Sequence, residues 1–133
     1  MKALLALVTC LLFAGCFTRQ VADGHDPFVV EAEADLRTAF HVVDGFLAWE
    51  QANRVGLSSE VTALADQLRR DFPGYLDSAE RVLATYKRAR DPASKVQVRT
   101  WLVAVNSAML AALEHLPPSE TSTAQKAARK WTP

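Results

Sequence analysis

Residues 98–116, VRTWLVAVNSAMLAALEHL, carry the most regular hydrophobic pattern in the chain. The apolar side chains recur in alternating steps of four and three residues, the spacing at which they share one face of a helix packed in a bundle. Residues 101–113 are apolar on almost every side, so other helices should surround this segment. By helical rise they cover roughly 20 Å, which is too little to cross a membrane. The predicted inner face is Val98, Leu102, Val105, Met109, Ala112 and Leu116.

A first helix is predicted upstream, beginning at Asp26-Pro27. An aspartate can cap the free N–H groups of a helix start, and proline fits the first turn because its missing N–H would have no partner there. The helix should end near Val55, with Gly56 as a left-handed cap. Gly45 lies inside it, where a glycine weakens a helix or permits the close approach of another one.

Two more helices are predicted between the first helix and residue 92. Ser58 or Ser59 should cap the second helix, and the pair Pro73-Gly74 should interrupt it, because proline removes a backbone hydrogen bond inside a helix. A third helix should follow and end at Asp91-Pro92, where the last one starts. The segments together predict an all-α bundle of about four helices. Its core should contain Leu36, Val43, Phe46, Leu68, Leu83, Leu102, Val105 and Met109.

The composition favours a single folded helical domain. The chain has 133 residues, of which half are hydrophobic and only five are glycine, a mixture that suits helices better than sheets. Fifteen basic and fifteen acidic side chains give a net charge of zero, which removes the electrostatic reason to propose a nucleic acid as the partner. We expect the helical domain over residues 26–117 and a polar tail over residues 118–133.

The N-terminus has the pattern of a cleaved signal peptide. Lys2 supplies a positive charge, and residues 3–14 form an apolar run of the length expected for a signal-peptide core. A membrane-spanning helix needs roughly 20 apolar residues, and Arg19 follows too soon after the run begins for one to form. The run closes on Phe13-Ala14-Gly15-Cys16, which resembles the lipobox of bacterial lipoproteins.

This resemblance covers the first sixteen residues and implies a location for the protein. It implies that residues 1–15 are removed as a signal peptide and that Cys16 is acylated, with palmitate as the typical chain, and becomes the mature N-terminus. Residues 16–25 would then form a lipidated, flexible spacer. The sorting pattern of Gram-negative lipoproteins implies the periplasmic side of the outer membrane, because Phe17 rather than an aspartate follows the cysteine. In a source without an outer membrane, the anchor would lie in the cell membrane.

The positions of the cysteines and histidines do not match a metal or cofactor site, so we expect neither. Cys10 lies in the predicted signal peptide and Cys16 carries the lipid, so no thiol remains for a disulfide or a cysteine-bound metal. The three histidines, His25, His41 and His115, lack the paired spacing that metal sites use. No motif places a serine or cysteine nucleophile to use them. We therefore expect a protein that is not an enzyme.

Two segments combine aromatic and charged side chains in a composition that can serve in recognition. Residues 49–54, WEQANR, close the first helix, which makes Trp49 and Arg54 candidate partner contacts. In the tail, Trp131 stands among basic residues and is a further candidate, on a partner or on anionic lipid headgroups. The alternatives are a solvated helix end whose tryptophan folds onto the core, and a frayed C-terminus.

These observations lead to one functional hypothesis and two alternatives. The first is a membrane-anchored, non-enzymatic interaction or accessory module of the bacterial envelope, bound to the membrane by its lipid and to another envelope protein by its surface. One alternative is a carrier of a small apolar or lipidic ligand in the bundle core, which requires a sizeable pocket. The other is an exclusion or lysis lipoprotein encoded by a phage or plasmid.

Overall fold

The computed structural model describes residues 26–118, and within this range the chain is an all-α bundle of three helices. Helix α1 spans Pro27–Asn53, α2 spans Ser59–Ala89 and α3 spans Pro92–His115. A short 3-10 turn, Arg54–Gly56, connects α1 to α2. The helical class is confirmed for the described residues, but the expected count of four helices is wrong for them. The signal peptide, the spacer and the tail beyond residue 118 lie outside the described residues.

The three helix starts follow the capping chemistry that the sequence predicts. The Asp26 carboxylate accepts a hydrogen bond from the Phe28 N–H at 2.9 Å, and the Asp91 carboxylate accepts one from the Ser94 N–H at 2.9 Å. Of the two candidate serines, Ser58 is the cap of α2. Each cap satisfies a backbone donor that a helix start would otherwise leave without a partner.

The predicted break at Pro73 is wrong, because α2 runs through it without interruption. The buried residues of α2 keep steps of three, four and seven residues on both sides of the proline, so one apolar face continues along the helix. Burying that face against α1 and α3 outweighs the roughly 3 kcal/mol that proline costs inside a helix. The buried residues of α2 are Val61, Ala65, Leu68, Phe72, Ala79, Leu83 and Tyr86.

The left-handed cap is also placed differently from the prediction. Gly56 does not have a positive φ, because the chain leaves α1 through the 3-10 turn and extends at Leu57 and Ser58 into the next cap. Within the described range Arg90 is instead the non-glycine residue with a positive φ, at 54°. Its N–H donates to the Tyr86 carbonyl at 2.8 Å and closes the end of α2.

Helix α3 supplies the inner face predicted for it but is not surrounded. All six predicted inner residues are buried, whereas Val96, Val103 and Leu110 are 62%, 66% and 40% exposed. The helix is also longer than its apolar centre suggests. With 24 residues and a mean hydropathy of 1.3 over its most apolar window, it is long and apolar enough to span a membrane. The expectation that this segment is too short to cross a membrane is therefore wrong. In this fold, however, its inner face forms the core.

The core lies along the axis between the three helices and contains every predicted core residue. Phe46, Val43, Val98 and Val105 are almost completely enclosed. No helix approaches α1 closely at Gly45, one of the two possibilities that the sequence left open, because an added methyl group there would meet no atom within 4 Å. The predicted core residues, all buried, are Leu36, Val43, Phe46, Leu68, Leu83, Leu102, Val105 and Met109.

Candidate interaction site at the distal end of the bundle

The bundle has two ends, which we name by their relation to Asp26, the first described residue. The proximal end contains Asp26 and the α2–α3 junction; the distal end contains the Arg54–Gly56 turn and the start of α2. Since α1 has 27 residues, the two ends lie about 40 Å apart along it. Trp49 and Arg54, two of the predicted contact residues, are at the distal end.

A completely buried carboxylate lies beneath the distal end. Glu50 has 0% exposure, and it follows Val43 and Phe46 on the buried face of α1, in alternating steps of three and four residues. A glutamate at a core position of a helix is rare unless it is paired, because removing an ionised group from water is costly. Glu50 is not among the residues predicted from the sequence for a site, although the spacing of the core residues places it on the buried face.

Two arginines neutralise Glu50 from different elements. Arg69 of α2 places its Nη2 atom 2.5 Å from Glu50 Oε2, and the same atom donates to the Leu47 carbonyl at 3.4 Å. Arg54 places its Nη1 atom 3.1 Å from Glu50 Oε1, although this contact lacks hydrogen-bond alignment. The carboxylate is therefore held between α1, the connecting turn and α2.

Asp66 completes a network of two acids and two arginines, which we call the distal ion network: Glu50, Arg54, Asp66 and Arg69. The Asp66 carboxylate accepts two hydrogen bonds from Arg54, at 3.1 and 2.9 Å, and one from Arg69 at 3.0 Å. Such two-point pairing fixes the orientation of a guanidinium group. The network ties the turn to α2 by several charged contacts.

Within the distal ion network, the half-exposed pair Arg54 and Asp66 stays ionised. The hydrogen bond from Arg54 lowers the pKa of Asp66 below its ordinary value, and the same bond raises the pKa of Arg54. Neither group is thus prepared to exchange a proton near neutral pH. Chemically, the arrangement suits a fixed, charged surface better than acid–base catalysis.

The outer surface of the distal end combines half-exposed charge with apolar groups. The side chains of Arg54 and Asp66 are 46% and 42% exposed, and Val55 is fully exposed. Trp49 is half-buried, with its ring centroid 6.0 Å from that of Phe46. The structure therefore brings Trp49 and Arg54 to one end of the bundle, whereas Trp131 lies outside the described residues.

The proximal end is fastened by a second polar cluster. The Tyr86 hydroxyl donates to Asp26 Oδ2 at 2.8 Å, and Arg90 forms an ion pair with the same oxygen. Burial acts to raise the pKa of Asp26, but the hydrogen bonds from Tyr86, the Phe28 N–H and Arg90 together lower it. The N-cap residue of α1 is thereby fixed to the C-terminal end of α2.

Two of the clefts in the described bundle lie between neighbouring helices. The larger, of about 480 Å³, lies between α1 and α2, and its apolar floor includes Leu36 and Phe40, the latter 47% exposed. Glu33, Arg37, Glu80 and Lys87 surround that floor. The smaller, of about 280 Å³, lies between α2 and α3. Both clefts are lined in part by exposed residues, so they are surface grooves.

The two histidines in the described part of the chain lie on different helices. His41 lies beside Phe40 on α1, His115 lies near Phe46 at the end of α3, and His25, Cys10 and Cys16 lie outside the described residues. Over residues 26–118, no group of three or more His, Cys, Asp or Glu side chains is arranged to hold a metal ion. Comparisons with protein-family models, curated proteins and solved structures find no match to this chain.

Proposed function

We propose that this protein is a lipoprotein of the bacterial envelope, anchored to the membrane by acylated Cys16, whose helical bundle acts as a non-enzymatic interaction or accessory module. The observation that carries the proposal is the apolar run over residues 3–14, closing on Phe13-Ala14-Gly15-Cys16. A folded bundle begins ten residues later, at Asp26. This order of apolar run, lipobox-like motif, short spacer and compact domain is what a tethered module requires.

The physical effect of the anchor is to concentrate the domain at one surface. Each buried acyl methylene contributes about 0.8 kcal/mol, so two chains hold a small protein on the membrane. A tethered domain meets other envelope proteins at a raised effective concentration. A contact of modest intrinsic affinity is then sufficient. Phe17 after the cysteine supports the periplasmic side of the outer membrane as the place of attachment.

The distal end is the surface that we assign to the partner protein. It lies about 40 Å along α1 from Asp26, where the spacer joins the bundle, so the lipid anchor does not cover it. Val55 is fully exposed beside the half-exposed Arg54, and the distal ion network holds this turn in place. Aromatic and arginine side chains are enriched at protein interfaces, which supports a role for Trp49 and Arg54.

A carrier of a small apolar or lipidic ligand is the second candidate, with the ligand in the α1–α2 surface groove instead of the bundle core, where it was expected. Its volume of about 480 Å³ is in the range of ligand sites, and Phe40 leaves part of its ring exposed on the floor. The groove lies on the surface, with charged residues around it, which fits an amphipathic ligand better than a fully apolar one. Copurified lipid found by mass spectrometry would support this candidate.

The anchor can be tested separately from the interaction. Cells expressing the full-length protein are labelled with palmitate, beside a Cys16→Ser variant. We expect the label on the wild-type protein alone, and the Cys16→Ser variant in the aqueous fraction. Wild-type protein without label, or with Met1 retained on an intracellular product, would contradict the proposed anchor.

The interaction is tested by crosslinking in whole cells followed by purification through the full-length protein. The test variant is Val55→Glu, because this side chain is fully exposed and its replacement should leave the fold intact. The matched control is Arg88→Glu, which changes an exposed residue near the proximal end. We expect one envelope protein to be captured by the wild type and by the control but lost with Val55→Glu. Equal capture by all three, or no specific capture by any, would contradict the distal assignment.

A further inference from the structure

The chain continues for fifteen residues beyond Pro118, and their sequence carries the local signals of a helix. Ser122 and Gln125 have the spacing of a capping box, in which the two side chains satisfy free N–H groups at a helix start. Three basic residues follow between positions 126 and 130, toward the end at which a helix dipole favours positive charge. The sequence therefore predicts a helix over residues 123–131, which we call the tail segment.

The apolar side chains of the tail segment share one side of the predicted helix. They recur at steps of three, one and three residues, which places them within roughly 100° of one another around the axis. Nine residues form only a marginal helix in water, so the segment needs a surface on which to bury this side. The residues of the apolar side are Ala124, Ala127, Ala128 and Trp131.

The groove between α2 and α3 offers such a surface. It has a volume of about 280 Å³, and buried Leu68 and Ala108 contribute to its floor. At its other end Tyr75 lines the groove, with its ring beside Trp101. The α3 wall consists of small side chains, which leave room for the close approach of another helix. These side chains are Ala104, Ser107, Ala108 and Ala111.

The place where the described chain ends selects this groove. Pro118 lies two residues beyond Leu116, the C-cap of α3 at the distal end. The α3 wall lies roughly 10–20 Å back along the helix from there. A reversal over residues 119–122 and nine helical residues, about 13 Å long, return the chain along this wall. Phe40 of the α1–α2 groove, by contrast, lies about 20 Å from the end of α1 at Asn53.

Charge favours the same groove. Among the described residues that line it, Asp71 is acidic and none is basic. Glu60 of α2 and Glu114 of α3 lie about one turn beyond the lining residues, toward the distal end. The tail segment has three basic residues and no acidic one. The α1–α2 groove has two cations around its floor, so it suits a basic segment less well.

We propose that the tail segment forms a fourth helix that packs into the α2–α3 groove of its own chain, antiparallel to α3. Its apolar side covers the small residues of α3, and Trp131 lies farthest from the distal end. A tryptophan ring buries a large apolar area, which compensates for the shortness of the helix. The proposal makes Trp131 a contact within the chain instead of a contact for a partner or for lipid headgroups. It does not depend on the lipid anchor.

Disulfide trapping in the full-length protein tests this packing. The test variant is Gln67→Cys/Ala128→Cys, because Gln67 lines the groove with an exposed side chain. The matched control is Ala48→Cys/Ala128→Cys, since Ala48 is exposed on the distal half of α1, away from the groove. We expect the bond to form roughly tenfold faster in the test variant. Peptide mass mapping should assign it to positions 67 and 128 of one molecule, apart from any bond of Cys10 or Cys16.

The contribution of the tryptophan is measured in the same test variant. Adding Trp131→Ala should slow bond formation roughly tenfold, because the tail loses its largest apolar group. Adding Thr132→Ala, the control, should change the rate less than about twofold. Equal rates in the Gln67 and Ala48 variants, as for a tail that moves freely, overturn the proposal, as does a rate that Trp131→Ala leaves unchanged. A bond between two molecules also overturns it, because the tail would then occupy the groove of a neighbouring copy.

Discussion

Glu50 of α1 and Arg69 of α2 form an ion pair whose carboxylate is completely buried, with 2.5 Å between Glu50 Oε2 and Arg69 Nη2. The pair connects two helices across the connecting turn, 19 residues apart in the chain. A buried ion pair adds little net stability compared with apolar residues of the same shape, but removing one partner leaves an uncompensated charge. Its consequence for this fold can be measured.

We expect Arg69→Met to lower the free energy of unfolding by about 3 kcal/mol, because Glu50 would lose its closest cation. Arg70→Met is the matched control, since Arg70 is exposed on the same helix, and it should change stability by less than about 0.5 kcal/mol. The double variant Glu50→Leu/Arg69→Met should recover most of the loss. Urea unfolding followed by circular dichroism measures all four proteins; equal effects of the two arginine variants would contradict the role of Arg69.

The Asp26 cluster predicts a pH-dependent contribution to stability. The hydrogen bonds on Asp26 lower its pKa in the folded protein below the ordinary 3.8, so the contribution is present above that pH. It is lost as the pH falls below 3.8 toward the folded pKa. Tyr86→Phe removes one of these bonds, and we expect it to destabilise the protein more near pH 6 than near pH 2.

The control for this prediction is Tyr75→Phe, because the Tyr75 ring contacts Trp101 and not Asp26. Its effect on the urea midpoint should be the same at both pH values. NMR titration of Asp26 gives an independent reading, and its pKa should rise in the Tyr86→Phe variant. An unchanged pKa would show that the tyrosine does not act on this carboxylate.

Pro73 is an internal weak point of α2 that the protein tolerates. It lies on the exposed side of the helix, so its replacement removes no buried contact. We expect Pro73→Ala to raise the unfolding free energy by about 1–3 kcal/mol, because a helix interior then regains a backbone hydrogen bond. Pro92→Ala, at the start of α3, should give no such gain. Thermal unfolding compares the two, and destabilisation by Pro73→Ala would mean that packing requires the proline.

Gly45 is a second position at which a substitution should raise the stability of the protein. An added methyl group meets no atom within 4 Å, so Gly45→Ala should fit without any rearrangement. We expect a gain of about 0.5–1 kcal/mol from the lower conformational freedom of the unfolded chain. Gly56→Ala, outside the regular helices, is the comparison and should gain less. A loss of stability on Gly45→Ala would contradict the open space that surrounds this position.

The sequence by itself determined the features that depend on near neighbours in the chain. The caps at Asp26 and Asp91, and a serine cap at position 58 or 59, follow from short side-chain oxygens placed beside free N–H groups. The inner face of α3 follows from periodicity, because every residue of that face is buried in the described bundle. Both kinds of signal are local, because they depend on residues a few positions apart in the chain.

Tertiary structure decided what local signals leave open. The helix through Pro73 forms because distant helices bury its apolar face, and that gain exceeds the local cost of proline. Arg54, Asp66 and Arg69 meet Glu50 only when two helices pack, so no motif marks the distal ion network. The apolar composition of α3 likewise cannot say how much of the remaining helix surface is covered, and Val103, expected to be surrounded, is 66% exposed. That depends on how the helices pack, which is a property of the whole chain.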